Sequence, residues 1–330
     1  MKKKIIDYCN ELGLENIGFV SCRKFSELED VFKLRKEKGL ENDFEESDIE
    51  KRINPNIYME DGKTIITIAF PYLHNQEYID NGFSVYTRGQ DYHAVVNSYL
   101  KKIGDFIETL GGKAISLVDS NALPERYIAY LGGIGFIGKN NMLITEKYGS
   151  YVFLGEIITN LDIECEDGRT LEELREYKKC GDCEICFKEC PTKVLNRRMM
   201  KNTNSCMSYI TQKKEIEDKY LRLMNGRIFG CDSCQKKCPY NKEIEYSNIK
   251  EFTPFDFMEK KDFENLYTMS KKEFNESIKQ TSCGWRGKNV ILRNVIIRDA
   301  LFDKKDISKY KVNSENLRVF KNRLLNFYDV

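Results

Sequence analysis

The stretch CGDCEICFKECPT (180–192) places four cysteines at C-x2-C-x2-C-x3-C spacing, with Pro191 directly behind the last of them. Three thiols so close in sequence can bind three corners of a cubic inorganic cluster, while the fourth points away as the proline turns the chain. This spacing is typical of bacterial two-cluster ferredoxins, in which the fourth cysteine binds the other cluster. The stretch therefore predicts a second cysteine run elsewhere in the chain.

The second run is CDSCQKKCPY (231–240), which again ends in Cys-Pro. If the last cysteine of each run crosses over, the ligands of the first 4Fe–4S cluster are Cys180, Cys183, Cys186 and Cys238. The second cluster then has Cys190, Cys231 and Cys234 and needs one more ligand. Cys206 lies between the two runs and is the candidate, with Cys165 as its competitor.

Two other uses of these cysteines are open from sequence. Zinc in tetrahedral four-cysteine sites is one, although zinc sites usually consist of paired C-x2-C units. Disulfides are the other, but they are rare where thiols are kept reduced. Cys9, Cys22 and Cys283 lie outside the runs and are interpreted as ordinary buried thiols.

Composition bounds the class of protein. The chain has 330 residues, 41% hydrophobic and 32% charged, and a formal net charge of +1, which argues against a wholly basic nucleic-acid binder. Asp7, Asn10 and Glu11 interrupt what could be a signal peptide, and no run reaches the roughly 18 apolar residues of a membrane span. We therefore expect a cytoplasmic protein without a membrane segment.

The first 160 residues read as alternating helices and strands, which predicts an α/β or α+β domain with a mostly interior sheet. Within it, SELEDVFKLRKEKG (26–39) predicts a helix opened by a capping box of Ser26 and Glu29. Residues 162–178 are charged and polar, typical of a domain boundary. Residues 246–330 read as charged helices, with an apolar stripe in NVILRNVIIRDALF.

A glycine cluster follows the strand KAISLVD in VDSNALPERYIAYLGGIGFIGKN (118–140). Its glycines could let the backbone approach a large flat or polar ligand. The cluster is a poor dinucleotide-binding motif because it follows a helix, and tight packing of a helix against a loop is the structural alternative.

These segments together resemble the epoxyqueuosine reductase family, cobalamin-dependent enzymes of tRNA queuosine synthesis that are related to reductive dehalogenases. The resemblance covers nearly the whole chain. It includes IEKRINP (49–55), RGQDYH (88–93), the glycine-containing segment, YGSYVFLGEIITN (148–160), both cysteine runs, CMSYIT (206–211), NGRIFGCDSC (225–234) and GWRGKNVILRN (284–294).

The resemblance implies that three parts of the chain have separate roles. Residues 1–162 would form a cobalamin-binding catalytic domain, 163–245 a double 4Fe–4S ferredoxin-like domain, and 246–330 a C-terminal helical segment shorter than in longer members. The clusters would reduce cobalamin, which would remove the epoxide oxygen of epoxyqueuosine at the wobble position of tRNA. Asp119 would protonate that oxygen, for which its pKa should be raised by burial.

The cobalamin contacts implied by the resemblance are Arg52, Ser84, Asp119, Lys139, Asn140, Leu143, Leu154 and Ser208. His93 nearly completes the Asp-x-His-x-x-Gly motif of a cobalt-binding histidine, but Val96 stands where glycine would be. We therefore interpret His93 as structural, since a neutral histidine on a helix needs only one hydrogen-bond partner.

The partners implied by the resemblance are a tRNA carrying epoxyqueuosine and a low-potential electron donor. The balanced net charge and the presence of all these parts in one chain predict a monomer. Basic residues in NRRMMK (196–201) and in QKK at 212–214 and 235–237 could contact tRNA phosphates, or could simply form a solvated charged face. Two other functions are open from sequence. One is a corrinoid reductase of another small electrophile, and the other is a simple two-cluster electron carrier.

Overall fold

The computed structural model describes residues 1–330 apart from 76–78, 167, 197–199, 262–265, 313 and 329–330. Its strands are β1 (Ile17–Ser21), β2 (Thr64–Pro71), β3 (Ala114–Leu117), β4 (Phe136–Ile137), β5 (Leu143–Ile144) and β6 (Val152–Thr159). The α-helices are α1 (Lys2–Glu11), α2 (Glu29–Glu37), α3 (Ile49–Ile53), α4 (Tyr92–Thr109), α5 (Glu125–Leu131), α6 (Leu171–Glu176), α7 (Ile185–Glu189), α8 (Met207–Gln212), α9 (Asp218–Leu221), α10 (Ser233–Lys236), α11 (Lys271–Glu276), α12 (Lys288–Leu301) and α13 (Glu315–Tyr328).

A four-stranded sheet in the order β1-β2-β6-β3 lies at the centre of the first half, and all its neighbouring strands are antiparallel. The two middle strands are rich in β-branched residues, which suits strands with both faces covered. In the register of the sheet, Glu156 of β6 lies between Thr67 of β2 and Leu117 of β3. An acidic side chain is thereby held inside the sheet.

Hydrophobic layers cover both faces of this sheet. One contains Ile65 and Ile158 together with Ile128 of α5 and Leu171 of α6. The other contains Ile66 and Ile157 packed against α1 and α4. The predicted mixed α/β fold with an interior sheet is confirmed, and its strands are antiparallel.

The C-terminal part, residues 246–330, is buried more deeply than the predicted charged helices with one apolar stripe would be. Helix α12 buries eleven of its fourteen residues, from Val290 to Ala300, instead of only an apolar stripe. It contributes to two further hydrophobic clusters, one of which includes Phe83 and Phe229. A parallel bridge joins these two phenylalanines, so the first half of the chain is tied directly to the segment before the second cysteine run.

The predicted capping box at Ser26 and Glu29 is wrong. Residues Ser26–Leu28 form a 3-10 turn, α2 begins at Glu29, and neither start has a side-chain cap. Phe25 is fully buried, and its backbone N–H donates to the Ile53 carbonyl at 2.7 Å. This anchor sets the chain path just before Ser26, which overrides the local capping preference.

The glycine cluster serves contacts within the protein. A Cβ atom on Gly132 would lie 2.8 Å from the Thr67 methyl group, and one on Gly135 would lie 2.4 Å from the Ile144 carbonyl oxygen. Reciprocally, a Cβ on Gly18 would lie 2.2 Å from the Gly132 carbonyl oxygen. These glycines therefore let a helix, a loop and strands of the protein pack closely against one another. This is the packing alternative of the sequence analysis and not the predicted approach of a ligand.

No helix in the described parts of the chain is both long enough and apolar enough to cross a membrane.

Candidate functional site

Asp119 lies in a tight turn just beyond the end of β3. Its backbone is left-handed, with φ of 46°, a conformation that aspartate tolerates better than most residues. The Asp119 N–H donates to Glu125 Oε1 at 2.7 Å, and the Asn121 side-chain amide donates to the same oxygen at 2.7 Å. Glu125 at the start of α5 thus holds the turn, while the Asp119 side chain stays 57% exposed.

A histidine bridges Asp119 to a second aspartate. His93 Nε2 lies 3.1 Å from Asp119 Oδ2, and His93 Nδ1 lies 2.8 Å from Asp91 Oδ1. Asp91 also caps α4 by accepting a hydrogen bond from the His93 backbone N–H. The helix start therefore fixes the imidazole with each ring nitrogen facing a carboxylate.

The protonation of this triad differs from the sequence expectation. Partial burial of the Asp119 carboxyl group acts to raise its pKa, but hydrogen bonds from His93 and Tyr92 outweigh this effect, so the pKa of Asp119 is lowered. The hydrogen bonds that His93 donates to Asp119 and to Asp91 raise the pKa of His93 to about 9. The expectation of a raised pKa at Asp119 is wrong for this geometry, because the proton resides on the imidazole.

Two further carboxyl groups lie beneath the turn. Glu156 is fully buried and neither of its carboxyl oxygens makes a hydrogen bond of normal geometry to a described residue, although Glu125 and Thr67 lie close enough to affect its pKa. Burial raises the pKa of Glu156 well above its usual value. Burial and the charge of Asp119 raise the pKa of Glu125 to about 7. Two carboxyl groups with raised pKa values therefore lie under the Asp119 turn.

The structure gathers the first group of thiols around a cavity. Burial, followed by the charges of Cys180, Cys183 and Cys238, raises the pKa of Cys186 to about 11. A cavity of about 230 Å³ is lined by all four of these cysteines and by Lys139 and Tyr240. Burial also raises the pKa of Cys238. Four crowded thiols around one cavity suit a cationic cluster, which would stabilise their thiolates.

The second group of thiols includes Cys206. Burial and then Cys231, Cys206, Asp232 and Cys190 raise the pKa of Cys234 well above its usual value, which places these four cysteines together. Cys206 in turn has Cys231 and Cys190 as neighbours. Cys165 Sγ instead donates to the Ile163 carbonyl at 3.1 Å and packs against the second core layer. The contacts place Cys206, and not Cys165, beside the other three.

The spacing within these groups bears on the zinc alternative. Over the described residues, no three Cys, His, Asp or Glu side chains converge closely enough to hold a single metal ion. The four ligands of a tetrahedral zinc ion all lie within about 2.3 Å of it. Thiols that surround a larger cavity fit the corners of a cube better than one ion. Cys9 and Cys283 are fully buried and Cys22 is half-buried.

The remaining predicted cobalamin contacts fall into separate places. Arg52 forms ion pairs with Glu41 and Glu45 and stacks over Phe32 at 3.8 Å. Its charge is therefore already compensated by the protein. Leu143 lies in the short strand β5, and Leu154 packs at the edge of the first core layer.

Four polar residues of the predicted set lie along the two thiol groups. Lys139 Nζ donates to the carbonyls of Gly181 and Cys183, and the Asn140 amide donates to the Cys234 carbonyl at 3.1 Å. The Ser84 hydroxyl donates to Asp232, which follows Cys231. Ser208 hydrogen-bonds to Tyr86, a residue close enough to Asp119 for their charges to interact. Ser208 and Tyr86 thus connect the Asp119 site to the helix that begins after Cys206.

Sequence reasoning missed His93, Tyr92, Glu125 and Glu156 as members of the site. His93 and Tyr92 belong to the RGQDYH segment, which is part of the family resemblance and could have indicated a site. The incomplete cobalt-ligand motif in this segment led instead to a structural interpretation of His93. Glu125 and Glu156 carried no local signal, because only the sheet register and the turn bring them under Asp119.

Two family models match parts of this chain. Residues 52–120 match a model described as epoxyqueuosine reductase QueG, DUF1730. Residues 179–241 match a 4Fe-4S double cluster binding domain. The second range contains all eight cysteines of the two thiol groups.

Curated relatives extend the similarity over most of the chain. The epoxyqueuosine reductase of Lactococcus garvieae is 35% identical over 306 residues, covering 90% of this chain and 85% of the relative. That of Bacillus subtilis is 34% identical over 313 residues, covering 92% and 79%.

Solved structures agree with the fold. A selenomethionine-labelled epoxyqueuosine reductase has a TM-score of 0.89 and 31% identity, and the match covers 98% of this chain and 89% of that one. An epoxyqueuosine reductase bound to an epoxyqueuosine-modified stem loop of tRNA-Tyr has a TM-score of 0.88 at the same identity and coverage. On these similarities and the shared cysteine domain, this chain belongs to the epoxyqueuosine reductase family.

Proposed function

We propose that this chain reduces epoxyqueuosine to queuosine in tRNA. Family membership over 90% of the chain supports the reaction and the substrate. The observation that carries the chemistry is the exposed Asp119 carboxylate, hydrogen-bonded to a protonated His93 and linked through Tyr86 and Ser208 to the thiol group of Cys206. We infer that proton supply at Asp119 and electron supply from the Cys206 group serve the same reaction.

The balance of the reaction explains why both supplies are needed. Removing the epoxide oxygen to leave an alkene consumes two electrons and two protons and releases the oxygen as water. As the ring opens, the oxygen develops negative charge, so a positioned acid raises the rate by a factor of about 10² to 10⁴. We assign the donation to Asp119, which receives its proton from His93.

The two thiol groups would hold 4Fe–4S clusters. The first would be bound by Cys180, Cys183, Cys186 and Cys238, and the second by Cys190, Cys206, Cys231 and Cys234. The matching double-cluster model supports two such clusters, and the cavity inside the first group suits one. These clusters would pass single electrons from a low-potential donor towards the Asp119 site.

Cobalamin, when bound, would supply the low-valent metal that accepts these electrons and delivers them to the epoxide. The exposed Asp119 carboxylate and the link through Ser208 fit a redox group placed between the turn and the second thiol group. Of the predicted contacts, Ser84, Asn140 and Ser208 lie along this connection, and their polar groups also hold the cysteine loops. Arg52 is paired with Glu41 and Glu45 and does not belong to this connection.

The test is anaerobic turnover. Protein reconstituted with iron and sulfide should contain about eight iron atoms per chain, two clusters of four. With cobalamin and a chemical reductant, it should convert epoxyqueuosine in tRNA to queuosine, detected by mass spectrometry of the digested tRNA. Asp119→Asn keeps the size and the left-handed backbone but should lower turnover about 10² to 10⁴-fold. Unchanged turnover in that variant refutes the acid role, and cobalamin binding without conversion of tRNA would favour a reductase of another electrophile.

A further inference from the structure

An aromatic patch with cationic edges lies on the surface beside α8. We define the patch as Phe44, Tyr209, Lys213, Trp285 and Arg286. Phe44 lies 5.0 Å from Tyr209 and 5.4 Å from Trp285, both in edge-to-face contact. Phe44 is 46% exposed and Trp285, the only tryptophan of the chain, is 50% exposed. Two large aromatic side chains in contact are thus half open to solvent.

Positive charge surrounds these rings. The Arg286 guanidinium lies 4.7 Å from the Trp285 ring centroid and 5.6 Å from that of Phe44, and Lys213 Nζ lies 5.7 Å from that of Tyr209. Asp43 is the acidic neighbour, and its Oδ2 accepts the Tyr209 hydroxyl at 2.8 Å. Its charge is therefore partly satisfied within the protein.

The patch is held in place from below. Arg286 Nε donates to the Gln212 carbonyl at 2.6 Å, at the end of α8. The buried Arg293 of α12 donates to the carbonyls of Lys213 and Lys214 at 2.6 and 2.7 Å. These hydrogen bonds hold the end of α8, the segment of Arg286 and helix α12 together next to the exposed rings. A surface that is already ordered in this way loses little conformational entropy when a ligand binds.

The patch adjoins the Asp119 site through two connections. Tyr209 follows Ser208, whose side chain hydrogen-bonds to Tyr86. Ser282, three residues before Trp285, donates from its hydroxyl to the Tyr86 carbonyl at 3.5 Å. The segments that carry Tyr209 and Trp285 therefore both contact Tyr86, whose charge interacts with that of Asp119, so the patch lies on the side of the molecule that includes the candidate active site.

We propose that this patch stacks unpaired nucleobases of the tRNA loop that flank the modified base, with Arg286 and Lys213 facing the neighbouring phosphates. The inference rests on the proposed function. Single-stranded nucleic acids are bound by exposed aromatic rings that stack on bases beside basic side chains that contact the backbone. The combination of open rings and flanking cations suits RNA better than a purely apolar protein partner.

Trp285 provides a site-specific readout. The wild-type protein is titrated with an unmodified anticodon stem loop and, separately, with a fully paired duplex of the same length. The stem loop should quench the emission of Trp285, and the duplex should leave it largely unchanged, because paired bases cannot unstack onto the ring. Neither titration depends on epoxide reduction.

The affinity is then measured from the anisotropy of labelled stem loop. Trp285→Ala should weaken binding about tenfold or more, whereas Trp285→Phe, which keeps a stacking ring, should weaken it far less. The matched control is Phe302→Ala, which removes a ring that is 40% exposed and also lies under an arginine, Arg298. It should bind like the wild type.

The outcomes separate this inference from the proposed function. Three results would overturn the proposed role of the patch. They are stem-loop binding without a change in Trp285 emission, equal affinities of wild type and Trp285→Ala, and no stem-loop binding at all. A protein that still reduces epoxyqueuosine in tRNA would then retain its proposed function. Quenching and a selective loss in Trp285→Ala support the patch even if epoxide reduction fails.

Discussion

His93 Nε2 lies 3.1 Å from Asp119 Oδ2, and the opposite ring nitrogen faces Asp91. An imidazolium between two carboxylates is stabilised by both, which is why its pKa rises to about 9. At neutral pH the imidazole of His93 therefore carries a proton and donates it in a hydrogen bond to the exposed Asp119 carboxylate. This arrangement is the basis of the first prediction.

We expect turnover to fall as the pH rises through about 9, because the proton on His93 is present below that pKa and lost above it. His93→Gln should lower turnover about 10² to 10⁴-fold, since general acid catalysis contributes by that order. It should also abolish the decline near pH 9. The pH–rate profile under saturating tRNA measures both effects. A wild-type profile that is flat through this range, or an unaltered decline in His93→Gln, would contradict the assignment.

The contact between Glu125 and the Asp119 turn gives a second prediction. Glu125→Ala removes the acceptor of the Asp119 backbone N–H and of the Asn121 amide. A misplacement of the catalytic side chain by about 1 Å can cost about 100-fold in rate, so kcat should fall by that order with little change in KM. Glu125→Gln is the matched control, because its amide oxygen can still accept both hydrogen bonds. Equal rates for the two variants would show that the hydrogen bonds do not position the turn.

The buried Glu156 predicts how stability depends on pH. Its pKa in the folded protein is raised above the usual 4.5, so above that pH the unfolded chain ionises while the folded chain keeps its proton. The wild type should therefore lose stability as the pH rises above about 4.5, by at most about 1.4 kcal/mol per pH unit. Glu156→Gln removes this dependence.

The measurement is the apparent Tm of Glu156→Gln minus that of the wild type between pH 5 and 7. This difference should increase with pH, whereas any constant cost of burying an amide cancels from the trend. Glu108→Gln, which replaces an exposed carboxyl group on α4, should show no such trend. A constant difference for Glu156→Gln would mean that Glu156 ionises normally in the folded protein.

The proposal that Cys206 is the eighth cluster ligand predicts the iron content of two variants. Cys206→Ala removes a ligand from the group of Cys190, Cys231 and Cys234, so the iron bound after anaerobic reconstitution should fall from about eight towards about four per chain. Cys165→Ala should keep the full complement, because its thiol is bonded to the Ile163 carbonyl. Iron analysis with the visible absorption of the clusters decides between them. Loss of iron in Cys165→Ala alone would reverse the assignment.

Several features of this protein could be predicted from sequence because they depend on neighbours along the chain. The two cysteine runs predicted two groups of four thiols, and the crossing of Cys190 and Cys238 agrees with the neighbours that each has in the structure. The buried strand TIITIAF and the amphipathic helix that contains His93 are likewise local patterns. Spacing and periodicity specify such features because short chain segments restrict which side chains can meet.

Only the tertiary structure decided the chemistry around Asp119. The helix start at Asp91, the turn after β3 and the register of β6 bring His93, Glu125 and Glu156 together from positions up to 63 residues apart. The same applies at Ser26, where the buried Phe25 overrides a valid capping sequence, and at the glycines, which pack against other strands. Hydrogen bonds and burial in these contacts set the proton positions, and both depend on atoms that sequence spacing does not place next to each other.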